Sequence, residues 1–110
     1  MADTPKEILE ILKSKLSSNP DAGKNINAVY QFSLAGENGG EWWIDLTKSP
    51  AEIGEGKNEG AGCTISMDAA DFVAMMKKTA NPMVLYMSKK LTVAGDLTLS
   101  LKLQNILNLL

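Results

Sequence analysis

Apolar residues along this chain change their period several times, and each change predicts an element. Ile8, Leu9, Leu12 and Leu16 recur at the spacing of one helical face. Thr4-Pro5-Lys6-Glu7 precedes them, with a threonine N-cap, a proline at the first helical position and a glutamate closing a capping box. Ser17-Ser18-Asn19-Pro20-Asp21 ends that helix. Over residues 28–35 the period falls to two, with Tyr30, Phe32 and Leu34 on one side and Val29, Gln31 and Ser33 on the other. The turn Gly36-Glu37-Asn38-Gly39-Gly40 leads into a second alternating run over 41–48, where Trp42, Ile44 and Leu46 oppose Trp43, Asp45 and Thr47. The two runs predict a hairpin with one buried face. Trp43 is the odd residue on the polar face and is expected to pack against a loop; the alternative is a partner surface.

After Ser49-Pro50 the chain reads as a short edge strand around Ile53 and a glycine-rich loop. Cys63, Ile65 and Met67 alternate inward, and Asp68 is positioned to N-cap a helix with Asp71 at N3 and an apolar stripe of Phe72, Met75 and Met76. Asn81-Pro82 starts a second short helix carrying Met83, Tyr86 and Met87, and Leu91 and Val93 form a last strand ended by Gly95. Every strand has one apolar and one mostly polar face. That predicts an antiparallel or mixed sheet with helices on one side only, a two-layer α+β domain.

The terminal stretch LTLSLKLQNILNLL is ambiguous. Its first half alternates like a strand, yet Gly95-Asp96 supplies a break and an N-cap. Leu99, Leu103, Ile106, Leu107 and Leu110 lie within about 100° on a helical wheel, so one helix packing on the sheet is expected. Leu97 and Leu101 fall on the opposite side, either meeting neighbouring helices or exposed for membrane or partner contact.

At 110 residues the chain is read as one domain, 1–110. No apolar run approaches the ~18 residues of a membrane span, and no secretory signal is read at the N-terminus. A single cysteine suits a reducing compartment, so a cytoplasmic location is expected. Net charge is −2 but unevenly spread: residues 1–72 hold six lysines and twelve acids, whereas residues 73–110 hold five lysines against Asp96. That basic third favours a carboxylate headgroup or an anionic membrane surface; the plainer alternative is solvated lysines at helix ends. There is no arginine to make bidentate contacts with guanine, so no nucleic-acid partner is expected.

Chemistry is thin. Histidine is absent, which removes the commonest general base and metal ligand. One cysteine cannot build a zinc site, and Cys63 on an inward strand face is expected to be an inert thiol. The glycines lack Walker or dinucleotide spacing. No catalytic residue, cofactor or metal is therefore predicted. The positive signal is Met67, Met75, Met76, Met83 and Met87 within 21 residues. Adaptable methionines either fill a core or line a cavity for flexible apolar molecules.

From Cys63-Thr64-Ile65-Ser66-Met67 through Asp71-Phe72, Met76, Asn81-Pro82, Lys90-Leu91, Gly95-Asp96 and Lys102-Leu103-Gln104-Asn105, the sequence resembles the sterol carrier protein-2 lipid-transfer domain. Tyr30-Gln31-Phe32 and Trp42-Trp43-Ile44-Asp45-Leu46 extend the resemblance over nearly the whole chain. The resemblance implies a five-stranded, mostly antiparallel sheet covered on one face by helices, with an apolar tunnel between the layers. It implies a non-catalytic carrier of fatty acids, fatty acyl-CoA, sterols or phospholipids. A monomer or weak dimer with transient membrane-surface contact is expected. The implied lining is Phe32, Trp42 and Ile44 from the sheet, Phe72, Met75, Met76, Met83 and Met87 from the two central helices, and Leu99, Leu103 and Gln104 from the terminal segment. Gln104 is its polar member. Many relatives carry glycine after each central helix, where this chain has Lys78 and Lys89; a left-handed residue there costs on the order of 1 kcal/mol. The competing expectation is an accessory module that docks on a partner enzyme through its C-terminal helix.

Overall fold

The computed structural model describes residues 4–21 and 23–108, with Leu103 described for its backbone alone. Helix α1 (Pro5–Ser18) starts as the sequence predicts: the Thr4 hydroxyl oxygen accepts from the Glu7 backbone N–H at 3.3 Å. Ile8, Leu9, Leu12 and Leu16 bury one stripe of it.

Strands β1 (Val29–Ala35), β2 (Gly40–Asp45), β3 (Glu52–Glu55), β4 (Cys63–Asp68) and β5 (Leu91–Gly95) form one sheet in the order β3-β2-β1-β4-β5. The β1–β4 pair is parallel and the other three pairs are antiparallel, so the sheet is mixed and mostly antiparallel. Helices α2 (Ala69–Met76) and α3 (Pro82–Met87) separate β4 from β5, and α4 (Leu97–Leu101) and α5 (Leu103–Leu107) follow β5. One row of the inner face runs Trp42, Phe32, Ile65, Val93 across β2, β1, β4 and β5. Phe72 of α2 meets Phe32 edge-on with ring centroids 5.3 Å apart, and both are fully buried. Each such side chain removed from water contributes about 1.5–3 kcal/mol.

Because β4 pairs with β1, the chain leaving β3 must cross β2 and β1. It crosses the face opposite the helices, and Gln31 holds it there. Gln31 Nε2 donates to the carbonyls of Gly56 at 2.9 Å and Trp42 at 3.1 Å, while its Oε1 accepts from the Asn58 N–H at 2.7 Å. The period-two pattern puts Gln31 on the polar side; the crossover then buries it to 4 % exposure. Trp43 stands beside Gln31 and opposite Gly54. A Cβ on Gly54 would lie 2.2 Å from Trp43 Cζ2, so the indole packs on a neighbouring strand rather than on a loop.

Several expectations need correction. The second strand ends at Asp45 instead of continuing to residue 48, because the Asp45 carboxylate accepts from the Thr47 N–H at 2.9 Å and turns the chain. Asp68 occupies the N-cap position of α2 but makes no capping bond; its carboxylate lies against Gly36. The terminal segment is two short helices, divided at Lys102, rather than one. Tight i→i+3 bonds from Lys102 N to Leu99 O and from Asn105 N to Lys102 O re-aim the axis there. Ile106 and Leu107 then reach the core while Leu97 and Leu101 face outward. Leu110, expected in the same stripe, lies outside the described residues.

Lys78 and Lys89 have φ of 66° and 64°, so both keep the left-handed conformation. Thr79 N bonds to Ala74 O and Lys90 N to Leu85 O, each at 2.9 Å, the 6→1 closure of a Schellman turn. Lysine tolerates the site partly because a cation suits a helix C-terminus.

Two outcomes are expected in urea unfolding. Lys89→Gly raises stability by about 0.5–1 kcal/mol by relieving the left-handed residue, the added chain entropy of glycine offsetting part of the gain. Gln31→Ala lowers it by about 1–3 kcal/mol, since it strands buried backbone groups on both sides of the crossover.

Candidate functional site

Helix α3 is pinned to the body at few points. Asn81 Oδ1 accepts from the N–H groups of Met83 at 2.8 Å and Val84 at 3.4 Å, and Pro82 occupies the first turn. Leu85 is its one buried side chain, leaving Met83, Val84, Tyr86 and Met87 exposed. Across from it, α4 begins at Asp96, whose Oδ1 accepts from Thr98 N–H at 2.9 Å. The Asp96 N–H donates to Gly62 O at 2.8 Å, which ties this cap to the end of the crossover. Leu97 and Leu101 on α4 are exposed, Leu101 to 64 %.

Between α3 and the α4–α5 pair lies an open, mainly apolar cleft of about 270 Å³. Pro82, Met83 and Tyr86 form one wall, Leu97, Ser100, Leu101 and Gln104 the other, with Leu91 of β5 and Asn81 completing it. Among the described residues, no charged side chain lines it. Its polar groups are largely committed: the Asn81 oxygen caps α3, and Ser100 Oγ donates to Leu97 O at 2.6 Å. Gln104 is held more loosely, by a 3.4 Å bond from Nε2 to Asn108 Oδ1. It is the polar side chain best able to turn toward a ligand.

The outer wall is tied to the sheet from beneath. Tyr30, fully buried on β1, donates its hydroxyl proton to Leu99 O at 2.5 Å. Burial, then Cys63 and Asp96 nearby, pushes the Tyr30 phenol far above its ordinary 10.0. Burial, then Asp96, likewise raises the Cys63 thiol above its ordinary 9.0. Both groups are thus held neutral, and Cys63 suits packing rather than nucleophilic chemistry. Among the described residues, no three His, Cys, Asp or Glu side chains gather closely enough to hold a metal.

Of the lining predicted from the sequence, the cleft brings together Met83 and Gln104. Phe32, Ile44, Phe72, Met75 and Met76 lie in the closed core behind it. Leu99 is half-buried against that core, and Met87, 74 % exposed, stands outside the cleft. Trp42 is buried and borders a separate, shallower groove of about 190 Å³ between α1 and β3. The side chain of Leu103 lies outside the described residues. The cleft adds Asn81, Pro82, Tyr86, Leu91, Leu97, Ser100 and Leu101. For Leu97 and Leu101 the sequence held a signal, two leucines off the core-facing stripe. Tyr86 and Leu91 read as helix and strand residues, but no spacing in the sequence sets them at a cleft.

The family model described as the SCP-2 sterol transfer family matches residues 8–108. The chain is 38% identical over 104 residues to hydroxysteroid dehydrogenase-like protein 2 of Bos taurus, covering 94% of this chain and 24% of that protein. It therefore spans about a quarter of the length of the curated relatives it matches. Among solved structures it is similar to sterol carrier protein 2 from Yarrowia lipolytica in its apo form, with a TM-score of 0.79 at 24% identity, covering 94% of this chain and 88% of that one. The palmitated SCP2L2 of Aedes aegypti superposes with a TM-score of 0.76 at 21% identity, covering 94% of each chain. These two likenesses establish the fold.

The neutral Tyr30 and Cys63 make stability depend on pH in one direction. Both pKa values are raised on folding, so their contribution is complete below the unfolded values and is lost as pH rises. Unfolding free energy is expected to hold up to the thiol's ordinary 9.0. Above it, stability falls with a slope approaching about 1.4 kcal/mol per pH unit for each titrating group. Urea titrations at stepped pH check this, and Cys63→Ala should delay the onset toward the ordinary tyrosine value of 10.0.

Proposed function

The chain belongs to the SCP-2 sterol transfer family, and from that premise we propose that it is a non-catalytic carrier holding one long-chain lipid. The observation that carries the reading is the mainly apolar cleft between α3 and α4–α5, which no charged side chain lines among the described residues. Withdrawing a sixteen-carbon chain from water contributes on the order of 10 kcal/mol at about 0.8 kcal/mol per methylene, before ordering costs. That is enough for micromolar binding or tighter.

The cleft, at about 270 Å³, is just under the roughly 300–1,000 Å³ of sites that enclose a whole small ligand. Binding is therefore expected to displace α3, whose one buried side chain is Leu85, since elements with few buried apolar contacts open most readily. Met83 and its flexible thioether would adapt to chains of different shape. Gln104 would meet a hydroxyl or carboxyl at the ligand's polar end. Fatty acids, fatty acyl-CoA, sterols and phospholipids all meet these requirements.

The chain's quarter-length match to its relatives favours a second reading, an accessory module that uses the α4 leucines to dock on an enzyme. One variant separates the two. Leu101→Asp alters an exposed cleft residue, so the melting temperature is expected to move little. On the carrier reading its affinity in a fluorescent fatty-acid displacement assay falls at least about tenfold, the effect of losing roughly 1.4 kcal/mol. Native mass spectrometry of the parent protein should show co-purified lipid. No displacement by any long-chain ligand, with no bound lipid, would sink the carrier reading.

A further inference from the structure

The methionines between residues 67 and 87 fall into three surroundings. Met67, Met75 and Met76 are enclosed, at most 5 % exposed. Met83 and Met87, four residues apart on α3, are open, Met83 to 52 %. Of these two, Met83 lines the cleft and Met87 does not. One chemical group thus stands in a closed core, on a cleft wall and in solvent. Mild oxidants convert that group from a flexible apolar side chain into a polar one, and the change is enzymatically reversible.

We propose that Met83 is a redox-modification site: oxidation by a peroxide weakens the hold of the cleft on a lipid, and bound lipid shields the sulfur. The proposal rests on the carrier reading above. In the reaction the Met83 sulfur lone pair attacks one peroxide oxygen, an S–O bond forms and the O–O bond breaks. Sulfur is oxidised by two electrons, and the departing hydroxide takes up the proton of the transferred oxygen and leaves as water. The sulfoxide oxygen is a strong acceptor placed on an apolar wall. In the open cleft, half-exposed Met83 leaves it hydrated. An apolar chain laid against it strips that water, and the loss is recovered only where a wall donor replaces it. Ser100 Oγ is already donated to Leu97 O. Asn81, Tyr86 and Gln104 also carry donors, but any that turns to the sulfoxide is withdrawn from the polar end of the ligand. Oxidation therefore penalises the loaded state and spares the folded, empty one. Cys63 is a poor competitor for the oxidant, since it is fully buried with its thiol held neutral, and the thiolate is the reactive form.

Peroxide treatment of the full chain, with and without hexadecanoate, tests this, with peptide mass analysis reading the gain of one oxygen atom at each methionine. Without ligand, Met83 and Met87 are expected to be oxidised while Met67, Met75 and Met76 are spared. With hexadecanoate at about ten times its Kd, roughly a tenth of the protein stays empty, so oxidation of Met83 slows about tenfold and that of Met87 is unchanged. In fluorescent fatty-acid displacement the oxidised protein is expected to bind about tenfold more weakly, and methionine sulfoxide reductase should restore its affinity. The ratio of treated to untreated affinity should return to one in Met83→Leu and stay reduced in Met87→Leu. Urea unfolding of the treated protein checks that it remains folded. Loss of the fold on oxidation, an undiminished response in Met83→Leu, or equal oxidation of Met83 with and without bound hexadecanoate overturns the proposal and leaves the carrier reading standing. An untreated protein that binds no long-chain ligand removes both.

Discussion

The carboxamide of Gln31 is the hinge of this architecture. A parallel β1–β4 pair inside an otherwise antiparallel sheet requires the chain to pass from the β3 edge across two strands, and loops laid on a sheet carry backbone groups that need partners. Gln31 supplies them from the middle of the central strand, with its nitrogen on Gly56 and Trp42 and its oxygen on Asn58. A leucine at that position would pack but could not bond. With the crossover fixed, β4 is delivered next to β1, and α2 to α5 are carried to the opposite face. The end of the crossover also meets the start of α4, where Gly62 O accepts from Asp96. The cleft wall is thus held at two points, by the Asp96 N–H on the end of the strand connection and by the Tyr30 hydroxyl of β1 beneath Leu99.

Core and cleft make opposite demands on the same kind of residue. Phe32, Phe72, Met75, Ile106 and Leu107 are fully enclosed and resist changes in volume, as close-packed interiors do. Met83, Leu97 and Leu101 face the cleft and solvent, where the cost of exposure is offset only if something apolar arrives. The division at Lys102 reconciles the two. One continuous helix would have turned a single stripe to the sheet; two short helices let the second bury its leucine and isoleucine while the first keeps its leucines outward.

The lysines at the ends of α2 and α3 show a similar compromise. Each occupies a left-handed position that suits glycine, and each thereby adds positive charge beside the cleft-bearing helices. Backbone strain of this kind persists where the surrounding hydrogen bonds over-determine the turn, here the paired Schellman bonds.

Local physics determined much of this protein from its sequence. The Thr4 and Asn81 caps, the period-two runs of β1, β2 and β4, the inward stripes of α1 and α2, and the two-layer plan depend on neighbours a few residues apart. A one-dimensional pattern records such neighbours. The family resemblance was legible too, in the order of its motifs. Site membership was legible only in part: Met83 and Gln104 reach the cleft, whereas Phe32, Ile44, Phe72, Met75 and Met76 belong to the core. Apolar periodicity reports that a side chain leaves water, not whether it meets protein or a void. The burial of Gln31, the seat of Trp43 on Gly54, the break at Lys102 and the gap between α3 and α4 were decided only by the tertiary structure. Each depends on groups distant in sequence, on a crossover strand order or on helix separation, and no local spacing encodes those.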